Sequence, residues 1–75
     1  MIAGQVYTAT LEELEVWPAL VELLAKYGVK TVYDLAVANP QELLALKGVG
    51  KKKVAEIQHH LTGIGVLIGE LRRAS

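Results

Sequence analysis

Leu46-Lys47-Gly48-Val49-Gly50-Lys51-Lys52-Lys53-Val54 combines a forced backbone geometry with concentrated positive charge, and the rest of the 75-residue chain reads as support for it. Two glycines around one apolar residue allow a tight reversal between helices. Each accepts a positive φ without a Cβ clash, while Val49 turns inward as the anchor. A helix starting at about Gly50 leaves its first-turn N–H groups without intrahelical partners, pointing outward beside three lysines. Backbone donors and ammonium groups together make an anion site. Gly48, Gly50, Lys51, Lys52 and Lys53 are therefore the candidate phosphate contacts. The competing reading is a corner between helices whose lysines are simply solvated.

On the N-terminal side of this stretch, Asn39-Pro40-Gln41-Glu42 is a complete helix start. Asn39 caps, Pro40 takes the first position where its missing N–H costs nothing, and Glu42 reaches back as in a capping box. The helix that follows carries Leu43, Leu44 and Leu46 into the hairpin. Further upstream, Thr31 caps a short helix with Val32, Leu35 and Ala36 inward. Trp17-Pro18 opens another, running to Tyr27, in which Leu20, Leu23, Leu24 and Tyr27 share one face at i, i+3, i+4 and i+7 and Gly28 is the stop. Leu11-Glu12-Glu13-Leu14-Glu15-Val16 is a short acidic turn capped by Thr10, and residues 1 to 10 read as an extended arm.

On the C-terminal side, a helix from about Lys51 to Leu61 turns Val54, Ile57 and Leu61 inward and Lys52, Lys53, Glu56, His59 and His60 outward. The tail Thr62-Gly63-Ile64-Gly65-Val66-Leu67-Ile68-Gly69 repeats the Gly-apolar-Gly spacing. Apolar residues follow it, so the tail is predicted to close over the core. The pattern predicts an all-α fold, a compact bundle of four to five short helices, with one domain over residues 11 to 75 after the arm.

Composition narrows the function. The length suits one domain near the lower limit at which a single core suffices. Without Cys there is no disulfide, thiolate zinc site or thiol redox chemistry, and without Phe the core must be aliphatic. The first residues lack the pattern of a secretory signal and the apolar runs are too short to span a bilayer, so a soluble cytoplasmic protein without a membrane partner is expected. Adjacent His59 and His60 diverge by about 100° on a helix and cannot share one ion as an i, i+4 pair would. The glutamates lack a partner acid or base, and no nucleophile is set up. The expectation is a non-enzyme with neither metal nor cofactor. Net charge is zero but uneven. Residues 1 to 46 carry two lysines against six acidic residues, a net −4, while residues 47 to 75 carry six basic residues against two glutamates, a net +4. Such a bipolar chain can orient on a polyanion or dock head to tail on a partner or itself.

The spacing apolar-x-Gly-apolar-Gly-x-x-x-apolar over Leu46 to Val54 is that of the helix-hairpin-helix element. With the elements in this order, the chain from about Leu11 to Leu71 resembles the C-terminal domain of the bacterial RNA polymerase α subunit. Leu11 to Val16 looks like that family's acidic lead-in, and Gly28-Val29-Lys30-Thr31-Val32-Tyr33-Asp34-Leu35 like its Gly-Ile-x-Thr-x-x-Asp-Leu block. Glu42-Leu43-Leu44, Gly48-Val49-Gly50-Lys51-Lys52, Glu56-Ile57 and Gly65-Val66-Leu67-Ile68-Gly69 follow in register. The resemblance implies a compact four-helix domain that docks on the DNA minor groove and serves as a landing surface for transcription activators. It also implies a two-part DNA surface. The family's minor-groove Arg and its assisting Asn read here as Ala19 and Glu22, whereas Gly50, Lys51 and Lys52 match and Lys53 replaces a Ser. Arginine in the minor groove is a principal source of affinity.

Two readings follow. The first is a transcription-associated helix-hairpin-helix module that binds DNA phosphates weakly and without sequence preference, with RNA polymerase or a regulator as partner. The second keeps the scaffold as a protein-interaction or self-associating module, including a homodimer, working through Trp17, Glu22 and Leu67. Trp17 itself has two readings, packed against the arm or tail, or exposed as an anchor for a partner.

Overall fold

Pro18 supplies a fixed φ at the first helical position, and helix α1 (Pro18–Lys26) begins there after an extended Trp17. The computed structural model describes residues 6–73, with side chains to residue 72. Along it follow α2 (Val32–Ala36), α3 (Pro40–Ala45), α4 (Gly50–Thr62) and α5 (Glu70–Arg73). The only sheet-like pairing among the described residues is one antiparallel bridge between Thr10 and Thr31. The fold is all-α, as the apolar periodicity requires.

The core is wholly aliphatic. Leu11, Leu20, Leu24, Val32, Leu35, Ile57 and Leu61 are fully buried, and no described polar or charged side chain is. Tyr27 departs from the predicted α1 face. It lies just beyond the last helical residue and is 43% exposed, with its hydroxyl donating to the Lys47 carbonyl at 3.1 Å. Leu44 of α3 is also exposed.

The caps are partly those expected. Asn39 accepts the Gln41 N–H at 2.9 Å. Reciprocal boxes form elsewhere, at Thr31 with Asp34 and at Thr10 with Glu13. The acidic turn ends as many helices do, with the Val16 N–H reaching the Leu11 carbonyl and Glu15 in the left-handed region at φ 62°. Of the arm expected over residues 1 to 10, the first five lie outside the described residues. Val6 to Ala9 form a turn, Ala9 N–H to Val6 carbonyl at 3.3 Å, before the Thr10 bridge.

The tail closes over the core through Gln58 of α4. Its amide donates to the Val66 carbonyl at 3.0 Å and accepts from the Ile68 N–H at 2.9 Å. Gly69 then passes under α2 and α3, its N–H on the Leu35 carbonyl at 3.0 Å. A Cβ there would stand 2.9 Å from the Ala38 carbonyl oxygen, and its φ is +78°. Gly69→Ala should therefore lose about 1–3 kcal/mol. Gly65→Ala, at the same φ but facing open space, should lose less. Thermal melts of the two variants check this, and equal losses would mean the close approach costs nothing.

Arm and tail are also joined by a hydrogen bond from the Tyr7 hydroxyl to Glu70. That bond, with the Leu67 N–H, holds the Glu70 carboxyl below its ordinary pKa, and Tyr7 is pushed up mainly by the same bond. A depressed carboxyl stabilises fully above its unfolded value, about 4.3, and that stability is lost as pH falls through the lower folded value. Melting curves between pH 7 and pH 3 should show a smaller acid loss for Glu70→Gln than for the native chain.

Candidate nucleic-acid interface

Gly48 and Gly50 both adopt positive φ, +88° and +68°, and Val49 between them is buried, so the hairpin has the geometry its sequence demands. It is seated on α1, because a Cβ on Gly48 would lie 3.4 Å from Leu23 Cδ2. Around Gly50 there is open space. Since α4 begins at Gly50, the N–H groups of Gly50, Lys51 and Lys52 have no intrahelical acceptor. Among the described residues no other group accepts from them.

The three lysines are not equivalent. Lys51 and Lys52 are exposed and form no ion pair among the described residues, whereas Lys53 is half-buried. Its Nζ donates to the Gly48 carbonyl at 2.7 Å. That carbonyl needs a partner because the tight turn takes it out of the helix, and the ammonium one turn away supplies it. Lys53 thus holds the loop, leaving two ammonium groups facing solvent.

A second hairpin, which the sequence reading passed over, joins α1 to α2 at Gly28, φ +82°. Its signal is in the chain: Glu22-Leu23-Leu24-Ala25-x-x-Gly28-Val29 recurs as Glu42-Leu43-Leu44-Ala45-x-x-Gly48-Val49. The two copies treat their amides differently. In the first, Asp34 Oδ2 accepts from Lys30 N–H at 2.9 Å and Thr31 N–H at 3.1 Å. The Ala9 and Tyr7 carbonyls accept from Val32 and Tyr33 at 2.9 and 3.0 Å. In the second, the position equivalent to Asp34 is Val54, and no described carbonyl of the N-terminal segment accepts from its amides. One hairpin is filled by the chain's own acceptors; the other is open.

Ala19 and Glu22, at the positions where the resemblance implies Arg and Asn, are both exposed on α1. Glu22 also lines an open groove of about 560 Å³ with Glu12, Glu15, Val16, Pro18 and Val21. Trp17 stands between two of these in the chain and is 62% exposed, so the packed reading of this residue is corrected. Pro18 directs the chain into α1, and the aliphatic core beneath is already complete. Leu67 is exposed as well, in the C-terminal turn, where it does not line this groove.

Residues 18–65 match the SAM-like helix-hairpin-helix tandem, a span that starts with α1 and ends in the turn after α4 and so contains both hairpins. The chain belongs to this helix-hairpin-helix family. Among known proteins it is similar to the DNA-directed RNA polymerase subunit alpha of Aquifex aeolicus (strain VF5), at 32% identity over 60 residues. That alignment takes in 80% of this chain and 19% of the polymerase subunit, so the chain spans about a fifth of that relative's length.

Exposure of the single tryptophan is directly measurable. Native emission should peak close to that of the unfolded chain, and acrylamide should quench both to a similar degree. A clearly blue-shifted native band would contradict the exposed position.

Proposed function

We propose that this chain is a non-enzymatic, cytoplasmic, transcription-associated module that uses the hairpin at Gly48 to Gly50 to bind DNA phosphate weakly and without reading sequence. The observation that carries the reading is the contrast within the tandem. Three backbone N–H groups and two unpaired lysines remain open at one hairpin, while its twin is filled by Asp34 and the arm. Amides at a helix start and ammonium groups suit a tetrahedral anion and carry no base-specific information. Similarity to a polymerase subunit supports polymerase or one of its regulators as the setting. Affinity is limited because α1 offers Ala19 and Glu22, both exposed, where the resemblance implies an Arg and an assisting Asn.

A second reading, protein interaction or self-association on the same scaffold, is favoured by one specific feature. The groove beside α1 is lined by Val16, Pro18 and Val21 together with Glu12, Glu15 and Glu22, and Trp17, between Val16 and Pro18 in the chain, is exposed.

The DNA reading is tested by titrating salt against duplex binding. Two phosphate contacts, from Lys51 and Lys52, give a log-log slope of about −2 and a loss of about tenfold between 50 and 200 mM salt. Lys51→Ala and Lys52→Ala should each reduce the slope by about one unit. Lys53→Ala should leave the slope nearly unchanged while lowering the melting temperature, and Glu22→Gln should tighten binding. Absence of binding at low salt, or indifference to the Lys51 and Lys52 substitutions, would rule the reading out.

A further inference from the structure

We infer that the acidic groove beside α1 receives the lysine hairpin of a second copy of this chain, so that molecules associate head to tail; this rests on the self-association reading and assigns its two surfaces. The floor of the groove is Val16, Pro18 and Val21, and its rim is Glu12, Glu15 and Glu22. An apolar floor offers nothing to a bare cation. It suits a side chain with an apolar stem and a charged head, which lysine has.

The complementary surface lies on the same chain. Lys51 and Lys52 are exposed and adjacent, and no described carboxylate pairs with them. With −4 in residues 1 to 46 and +4 in residues 47 to 75, the encounters that electrostatics favours bring opposite halves together. Within one molecule the two surfaces cannot meet. At about 100° per residue, Pro18 and Val21 point to nearly the opposite side of α1 from Leu23, on which the hairpin is seated. Contact between copies is therefore heterologous, and repeated contacts extend rather than close a dimer.

Two variants separate the surfaces. Glu12→Gln with Glu15→Gln and Glu22→Gln empties the groove of charge, and Lys51→Gln with Lys52→Gln empties the hairpin. All five positions are exposed, and circular dichroism checks that both variants fold. In sedimentation equilibrium at 50 mM salt, the native mass should rise from 8.1 kDa with concentration and pass twice that value. It should fall back in 500 mM salt. Each variant alone should associate at least about tenfold less. An equimolar mixture should recover association but stop at a one-to-one pair, because only one live groove and one live hairpin remain. A native chain that stays monomeric at all concentrations overturns both the pairing and the self-association reading. Association that ignores salt, or persists in both variants, overturns the pairing of groove with hairpin alone.

Discussion

The first amides of every helix need acceptors, and in a chain of short helices that demand shapes much of the structure. Here it is met by short-range carboxylates and by the N-terminal segment. Glu13 answers Thr10, Asp34 answers Lys30 and Thr31, and Glu70 answers Leu67. The arm earns its place in the same way, because the Tyr7 and Ala9 carbonyls complete the start of α2. In the longest helix, α4, the first three amides have no described acceptor. Its start is built from glycine and lysine, which bring donors and no acceptor, so an acceptor has to come from outside. Two hairpins that follow nearly the same sequence thus differ in how their amides are satisfied, through Asp34 against Val54 and through the Tyr7 and Ala9 carbonyls at the first.

Most of the architecture was legible because it is written in local rules. Proline at Pro18 and Pro40, the caps at Thr31 and Asn39, and the glycines at Gly28, Gly48 and Gly50 each constrain the backbone within a few residues. Leucine spacing did the rest for the core. What escaped depends on contacts between distant segments. The Gly28 hairpin lacks the second glycine and the lysine run, so its likeness to the Gly48 hairpin lies in the helix before it. The engagement of Lys53 with the Gly48 carbonyl is a choice among lysines that composition cannot rank. Trp17 was ambiguous because burial of an aromatic depends on tertiary contacts, and the buried cluster is made by aliphatic residues such as Leu11, Val16, Leu20 and Leu24 without it.

At the candidate site, the same distinction decides how strongly function can be tied to residues. Family membership locates the hairpins, and geometry shows which amides are free. The side chains around them are peculiar to this chain. An exposed glutamate at position 22 and an alanine at position 19 stand where the resemblance implies Asn and Arg, so in the DNA reading the hairpin's own lysines and N–H groups would carry the phosphate contact. Contacts this few give a salt dependence that is shallow in proportion to their number, and they contribute little discrimination between sequences.

Those two lysines are also the groups best suited to the acidic groove, which couples the two readings. A lysine head held between carboxylates of another copy cannot lie on a phosphate, so on the two proposals together DNA and a second copy would compete for one surface. Mass action then sets which wins. A duplex presents a dense line of phosphates and raises the local anion concentration far above that of any single groove. A groove offers three carboxylates but adds apolar contact, which salt screens less than charge. At low salt the polyanion therefore has the advantage. As ionic strength rises, contact with the apolar residues of the groove would retain a larger share of its strength, and the balance would move toward association between copies.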